Sequence, residues 1–234
     1  FFPLISFSKE WIGDDRNAVI ITGWGKDGLV SYLIIESYEE CEGEGDCSVV
    51  YNLNFNVLNL KTDELVYYNQ LNQYKESPEP SIIDECIGAS GADRNCFNNI
   101  YKKYKDIINE THQNYNITNF HQNTFYSDFS KIDEKYFLVL DTVSINNKCY
   151  NYDFGNRDVF YKLYIYNNFN QRKLLSSDEL KCTGEIYLNG FYKSPFENRI
   201  LISITSQVSQ ADYETIKKGY HKFIGCSLNP KTFK

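Results

Sequence analysis

The sequence predicts a mostly β protein, with two repeated antiparallel meanders, propeller-blade-like or packed as a sandwich, and one amphipathic helix inserted between them. Three observations carry that expectation. One strand pattern occurs twice, about 108 residues apart, in residues 29–68 and 136–175. Each copy has an apolar strand, a polar loop with cysteine, an alternating strand, a tight turn and a short apolar strand. Aromatic residues make up 16% of the chain, with 20 Tyr and 16 Phe, and flat rings suit a pleated sheet where they cover neighbouring strands. Between the copies, a single stretch spaces its apolar residues at the helical period.

At 234 residues the chain can bury a substantial core. Residues 1–91 read as the first meander unit, 92–130 as the helix and a polar loop, and 131–234 as the second unit, all in one compact domain.

Residues 19–23 (VIITG) form the first predicted strand, and the turn Gly23-Trp24-Gly25-Lys26-Asp27-Gly28 follows, its three glycines able to take positive φ. Trp24, Lys26 and Asp27 are candidates for an exposed binding tip; the competing reading tucks Trp24 over the end of the sheet. A strand over 29–37 comes next. Across 50–58, Tyr51, Leu53, Phe55 and Val57 share one face, expected to be buried, while Asn52, Asn54 and Asn56 share a wet one. Residues 61–64 are a four-residue hairpin connection and 65–68 return along the sheet. The stretch 71–90 contains Pro78 and Pro80 and reads as a loop. Over 93–109, Phe97, Ile100, Tyr101, Tyr104, Ile107 and Ile108 make the helical stripe, expected to pack on a sheet, and 111–130 is a long polar loop.

The second copy repeats the order, with Tyr161, Leu163 and Ile165 on one face, a turn at 167–171 and a return over 173–175. Further strands are predicted at 185–192, 199–206 and 222–228, and a short helix at 212–219 that Gly219 ends. Within 199–206, Ile200, Ile202 and Ile204 alternate against Leu201, Ser203 and Thr205. Two repeats are too few to close a propeller, so two packed sheets are expected.

A net charge of −7 argues against nucleic acid as a partner, because such affinity comes from clustered Lys and Arg displacing counterions. The basic run Lys102, Lys103 and Lys105 is followed by Asp106 and Glu110 and reads as a solvated helix face. No run of about 18 apolar residues is present, so no transmembrane helix is predicted. The chain has no Met and begins Phe1-Phe2-Pro3, which reads as a processed, mature form. Seven cysteines are a heavy thiol load for a reducing cytosol and point to an exported protein of the periplasm, outer-membrane surface or extracellular space. Cys41 with Cys47 and Cys86 with Cys96 are candidates for local disulfides, and Cys149 with Cys182 for a third, leaving Cys226 free. The alternative is that all are reduced and buried.

No reactive constellation stands out. Of the three histidines, His112 and His121 fall in or beside the polar loop, and His221 and Cys226 lie on opposite faces of one strand. Gly88-Ala89-Ser90-Gly91 has no preceding strand to aim its serine. Paired zinc-ligand spacings are lacking. Glu39, Glu40, Glu42, Glu44 and Asp46 crowd one loop with hard oxygens, without the Asp-x-Asp-x-Asp-Gly order of a calcium loop. The glycine turn joins two strands, whereas a phosphate cradle opens a helix. No metal and no cofactor are therefore predicted. Asn109 and Asn116 head N-x-T sequons beside the polar loop. Glu197 and Arg199, two residues apart, share a strand face and are expected to pair and pin the strand start.

The segments Gly23-Trp24-Gly25-Lys26-Asp27-Gly28 and Val57-Leu58-Asn59-Leu60-Lys61-Thr62-Asp63 resemble the "GWSKDG … QDLVTD" pattern of a family of uncharacterised exported bacterial proteins. Ser194-Pro195-Phe196-Glu197-Asn198-Arg199-Ile200 and Ile224-Gly225-Cys226-Ser227-Leu228 are similar to the same family's "SPFE.RI" and "GC.L" segments; Gly25 stands where the pattern has Ser. The resemblance implies export and a β fold and brings no activity. The function expected from the sequence is that of a non-enzymatic envelope or cell-surface protein that binds another such protein. The alternatives are a glycan- or peptide-acting hydrolase with carboxylates on distant loops, and a carbohydrate-binding module.

Overall fold

The computed structural model describes residues 18–42, 46–75, 94–119, 125–126, 131–145, 157–183, 186–206 and 220–233. In chain order these form β1 (Ala18–Gly25), β2 (Leu29–Glu42), β3 (Asp46–Asn59), β4 (Glu64–Lys75), α1 (Arg94–Asn114), β5 (Ile117–Asn119), β6 (Phe125–Tyr126), β7 (Tyr136–Ile145), β8 (Arg157–Asn167), β9 (Arg172–Thr183), β10 (Ile186–Lys193), β11 (Arg199–Ser206) and β12 (Tyr220–Ser227), with a 3-10 turn at Pro230–Thr232. A first sheet has the order β4-β3-β2-β1-β5, a middle sheet β12-β11-β10-β6, and an outer sheet β7-β8-β9. Every strand pairing is antiparallel.

The repeated pattern becomes a repeated shape. β2-β3-β4 and β7-β8-β9 are both three-stranded meanders. Leu53, Phe55 and Val57 of β3 occupy the buried face that Tyr161, Leu163 and Ile165 occupy in β8, and all six are fully buried. Both hairpins turn on an asparagine 108 residues apart in sequence, Asn59 and Asn167. Each side-chain oxygen accepts the N–H two residues on, from Lys61 and Phe169, and each carbonyl closes the turn further along. The side chain thereby substitutes for a backbone turn partner.

The layers number more than expected. α1 packs Ile100, Tyr104 and Ile108 on one face of the first sheet, against Leu33, Ile35, Leu53 and Phe55. The opposite face of that sheet, with Val30, Tyr32 and Ile34, meets Tyr192, Leu201 and Phe223 of the middle sheet. The far face of the middle sheet, with Phe191, Ile200, Ile202 and Ile204, meets Tyr161, Leu163 and Ile165 of the outer sheet. The order is helix, sheet, sheet, sheet, so the expected pair of packed sheets becomes three.

That stacking explains where alternation misleads. β11 lies in the middle layer and is buried on both faces, Leu201 and Ser203 as completely as Ile200 and Ile202. A strand covered on both sides needs no polar face. Asn54 and Asn56, expected to be wet, are buried, as cross-strand partners of Ile34 and Tyr32. Asn54 donates to Glu36 Oε2 at 3.0 Å and accepts from the Tyr68 hydroxyl at 3.2 Å. Several elements are longer than predicted: β2 runs to Glu42, β4 to Lys75, into the stretch read as a loop, β9 to Thr183, and α1 to Asn114. Pro78, Pro80 and the predicted helix at 212–219 lie outside the described residues.

Candidate functional site

Trp24 corrects the binding-tip expectation. Its indole is fully buried between the first and middle sheets. The tip that remains is Lys26 and Asp27, both exposed, with Asp27 at 3.9 Å from the Lys61 ammonium. A pair so exposed holds little energy.

Of the candidate disulfide cysteines, Cys41 and Cys47 are direct cross-strand partners in the β2–β3 ladder. Cys86 and Cys149 lie outside the described residues, as do the side chains of Cys41, Cys47, Cys96 and Cys182. Cys226 is a free thiol buried at the contact of the middle and outer sheets. Burial pushes its pKa up to about 11, against the opposing pull of Lys173 and Arg199. Since the thiolate is the reactive form, Cys226 is expected to resist iodoacetamide at pH 8 in the folded protein and to react at least about a hundredfold faster in denaturant. Mass spectrometry of the alkylated peptide reads this directly, and equal rates in the two states would contradict the buried placement.

The fold does assemble a serine and a histidine. Ser31 Oγ lies 2.8 Å from His112 Nε2, and Thr22 Oγ1 donates to Ser31 Oγ at 2.7 Å. From the sequence, His112 falls in or beside the polar loop. In fact Thr111 and His112 continue α1, and His112 meets hydroxyls in the sheet. Gly23 leaves the room for this, as a Cβ there would stand 3.1 Å from the imidazole. Ser31 is fully buried and His112 is 4% exposed, so no substrate reaches the pair. It latches the helix to the sheet.

A second polar knot closes the edge between the middle and outer sheets. Lys222 Nζ donates to Ser176 Oγ at 3.2 Å and to the Tyr161 hydroxyl at 3.5 Å, while Asp178 stands 3.8 Å from the ammonium. These contacts tie β12 to β9. Asp158 and Glu179 are both bound by Lys181, so the two carboxylates share one ammonium.

The segments that carry the sequence resemblance meet at one seam. Leu60 N donates to Gly28 O at 2.8 Å, Arg199 Nη1 donates to Leu60 O at 2.8 Å, and Gly225 N donates to Asp63 Oδ1 at 2.6 Å. Arg199 Nε also donates to Glu197 Oε2 at 3.2 Å, the pairing that their spacing predicts. Burial raises the Asp63 pKa, and the Gly225 N–H and the cations Lys222, Arg199 and Lys173 oppose that rise. These groups satisfy one another. The seam joins the first hairpin to the middle sheet and offers no vacant donor set.

Among the described residues, nothing packs on the outer face of the outer sheet. β7 contributes Phe137, Val139 and Val143, and β8 contributes Phe160, Tyr164 and Tyr166. β9 adds Leu174 opposite Tyr164 and Arg172 opposite Tyr166. Val143 is 60% exposed and Leu174 49%, and Phe169, in the turn at the end of this face, is 78% exposed. Phe137 and Tyr166 stack at 5.2 Å with their planes 9° apart, and the Arg172 guanidinium lies 5.0 Å over the Tyr164 ring. Linear reading could not single out this face, because the same alternation describes an inner face equally well.

Among the described residues, no three His, Cys, Asp or Glu side chains are placed to hold a metal ion, and no helix is long and apolar enough to cross a membrane. No protein-family model, curated protein or solved structure matches the chain.

Proposed function

We propose that the protein is a non-enzymatic, exported β-rich component of the bacterial envelope or cell surface, and that it binds another protein through the outer face of β7-β8-β9. The carrying observation is the apolar and aromatic surface there, where an outermost sheet ordinarily shows polar residues. Aromatic rings with a neighbouring Arg are the groups that anchor protein interfaces. Lys162 and Arg172 lie over rings on this face, so the cations are held by their neighbours before any partner arrives. Export is supported by the cysteine content and by the family that the GWGKDG and SPFENR segments resemble.

Ring geometry favours a protein over a glycan. Phe137 and Tyr166 stack on each other as cross-strand partners, and so turn their edges outward. A sugar platform lays its ring faces toward the ligand. The carboxylates brought together at Lys181 are bridged by that lysine, so this pair gives the hydrolase alternative no support.

The test compares the intact chain with a Val143→Ser, Phe169→Ser, Leu174→Ser variant, whose exposed positions leave stability within about 0.5 kcal/mol per site. In cross-linking capture from the envelope fraction of the source cells, the intact chain should retain a partner that the folded variant loses by about tenfold or more. Equal capture by both, or an intact chain that stays monomeric and captures nothing, ends this reading.

A further inference from the structure

We infer that Cys41 and Cys47 are the two halves of one disulfide, which staples the acidic end of the β2–β3 ladder. The inference rests on the export part of the proposed function for its oxidising surroundings, and on strand register for its geometry.

The acidic residues cluster at one end of the β2–β3 ladder, where the pairs run Glu39↔Val49, Glu40↔Ser48, Cys41↔Cys47 and Glu42↔Asp46. Glu42 and Asp46 are direct partners, and Glu39 and Glu40 follow on the same strand. Like charges placed opposite destabilise a ladder.

The cysteines occupy the one pair that can offset this covalently. Directly opposed residues of an antiparallel ladder have Cα atoms about 4.5–5.5 Å apart. That spacing lies inside the range of about 4.4–6.8 Å that a disulfide spans. Direct partners also share a face of the ladder, so the bridge needs no change of register. In forming it, one cysteine thiolate attacks a disulfide-bonded oxidant, either a protein disulfide or oxidised glutathione. A mixed disulfide results, and one sulfur of the oxidant leaves as a thiolate. The second cysteine, deprotonated, then displaces the other sulfur of the oxidant, so the two cysteines together give up two protons and two electrons and the oxidant departs as two thiols.

The test uses the full-length purified chain, reduced and then exposed to oxidised glutathione, alkylated and cut with a Glu-specific protease, which cleaves between the two cysteines. The expected product is a pair of peptides joined through Cys41 and Cys47. A Glu40→Cys, Cys41→Ser variant controls for mere proximity, because position 40 is the partner of Ser48 and lies on the opposite face from Cys47. It should give at least about tenfold less bridged product. Separate glutathione adducts at the two cysteines, pairing with other cysteines, or equal bridging in the variant would each overturn the inference. Thiol trapping in intact source cells is read independently: reduced cysteines there, together with a bridge formed in vitro, refute export and leave the register argument standing.

Discussion

Replacing Gly225 with Ala is expected to remove about 3 kcal/mol or more of stability, an effect that an edge-strand glycine would not ordinarily show. The reason is backbone contact. A Cβ at Gly225 would stand 2.3 Å from Leu60 O and 2.6 Å from Leu60 Cα. No rotamer relieves such an overlap, because both opposing atoms are main chain. The hairpin between β3 and β4 would have to retreat from β12. Retreat would stretch the 2.6 Å bond from Gly225 N to Asp63 and the 2.8 Å bond from Arg199 to Leu60 O together. Both involve a charged side chain, and such bonds contribute about 1.5–3 kcal/mol each when intact. The clash and the lost bonds are parts of one displacement and do not add independently. Denaturant unfolding measures the change. A Gly225→Ala protein within about 0.5 kcal/mol of the parent would show that the two sheets do not approach as described. An Asp63→Asn variant separates the contributions: it keeps an acceptor for Gly225 N and removes the charge, so its loss should be the smaller of the two.

The legible parts of the fold were those fixed by local periodicity. The repeat, β11, the hairpin turn at Asn167 and the helical stripe through Ile100, Tyr104 and Ile108 all show in the sequence because each depends on neighbours a few residues away. The misread parts depend on what covers an element. β11 alternates Ile with Leu, Ser and Thr, which describes one wet face as well as it describes two dry ones. Only the outer sheet lying on one side and the first sheet on the other decides between them. Asn54 and Asn56 look solvated until Glu36, Tyr68 and the cross-strand partners Ile34 and Tyr32 are placed around them. The end of α1 was missed because Thr111 and His112 are polar, yet the partners of His112, Ser31 and Thr22, sit about 80 and 90 residues earlier in sequence. The candidate surface was hidden for a related reason. Phe160, Tyr164 and Tyr166 match the inner residues of β8 in polarity, and the choice of face comes from packing rather than from pattern.

Trp24→Ala is expected to destabilise the protein by about 4 kcal/mol, near the upper end for a single core truncation. The argument begins with a β-bulge. β1 pairs Ile21 with Tyr32 but Gly23 with Ser31, so Thr22 is an extra residue in the ladder. Strict alternation from Val19 and Ile21 would put Trp24 on the helix side of the sheet. The bulge carries it to the opposite side, across from Val30, where it joins Val19, Ile21, Tyr32, Leu58, Leu60, Leu201 and Phe223. The indole is 0% exposed there and is the largest fully buried side chain among the described residues, so truncation leaves a cavity between two sheets that are also held by the Arg199 and Asp63 bonds. Those bonds limit how far the sheets can collapse into the gap, and partial relaxation is the condition under which cavity costs are greatest. Trp24→Phe, which keeps most of the apolar volume, should lose no more than about half as much. If the indole were instead a surface anchor, Trp24→Ala would change stability by less than about 0.5 kcal/mol and would act on binding alone. Urea titration of the two variants distinguishes these outcomes without knowledge of any partner, and a near-neutral Trp24→Ala would also remove the bulge-directed packing on which the first two sheets depend.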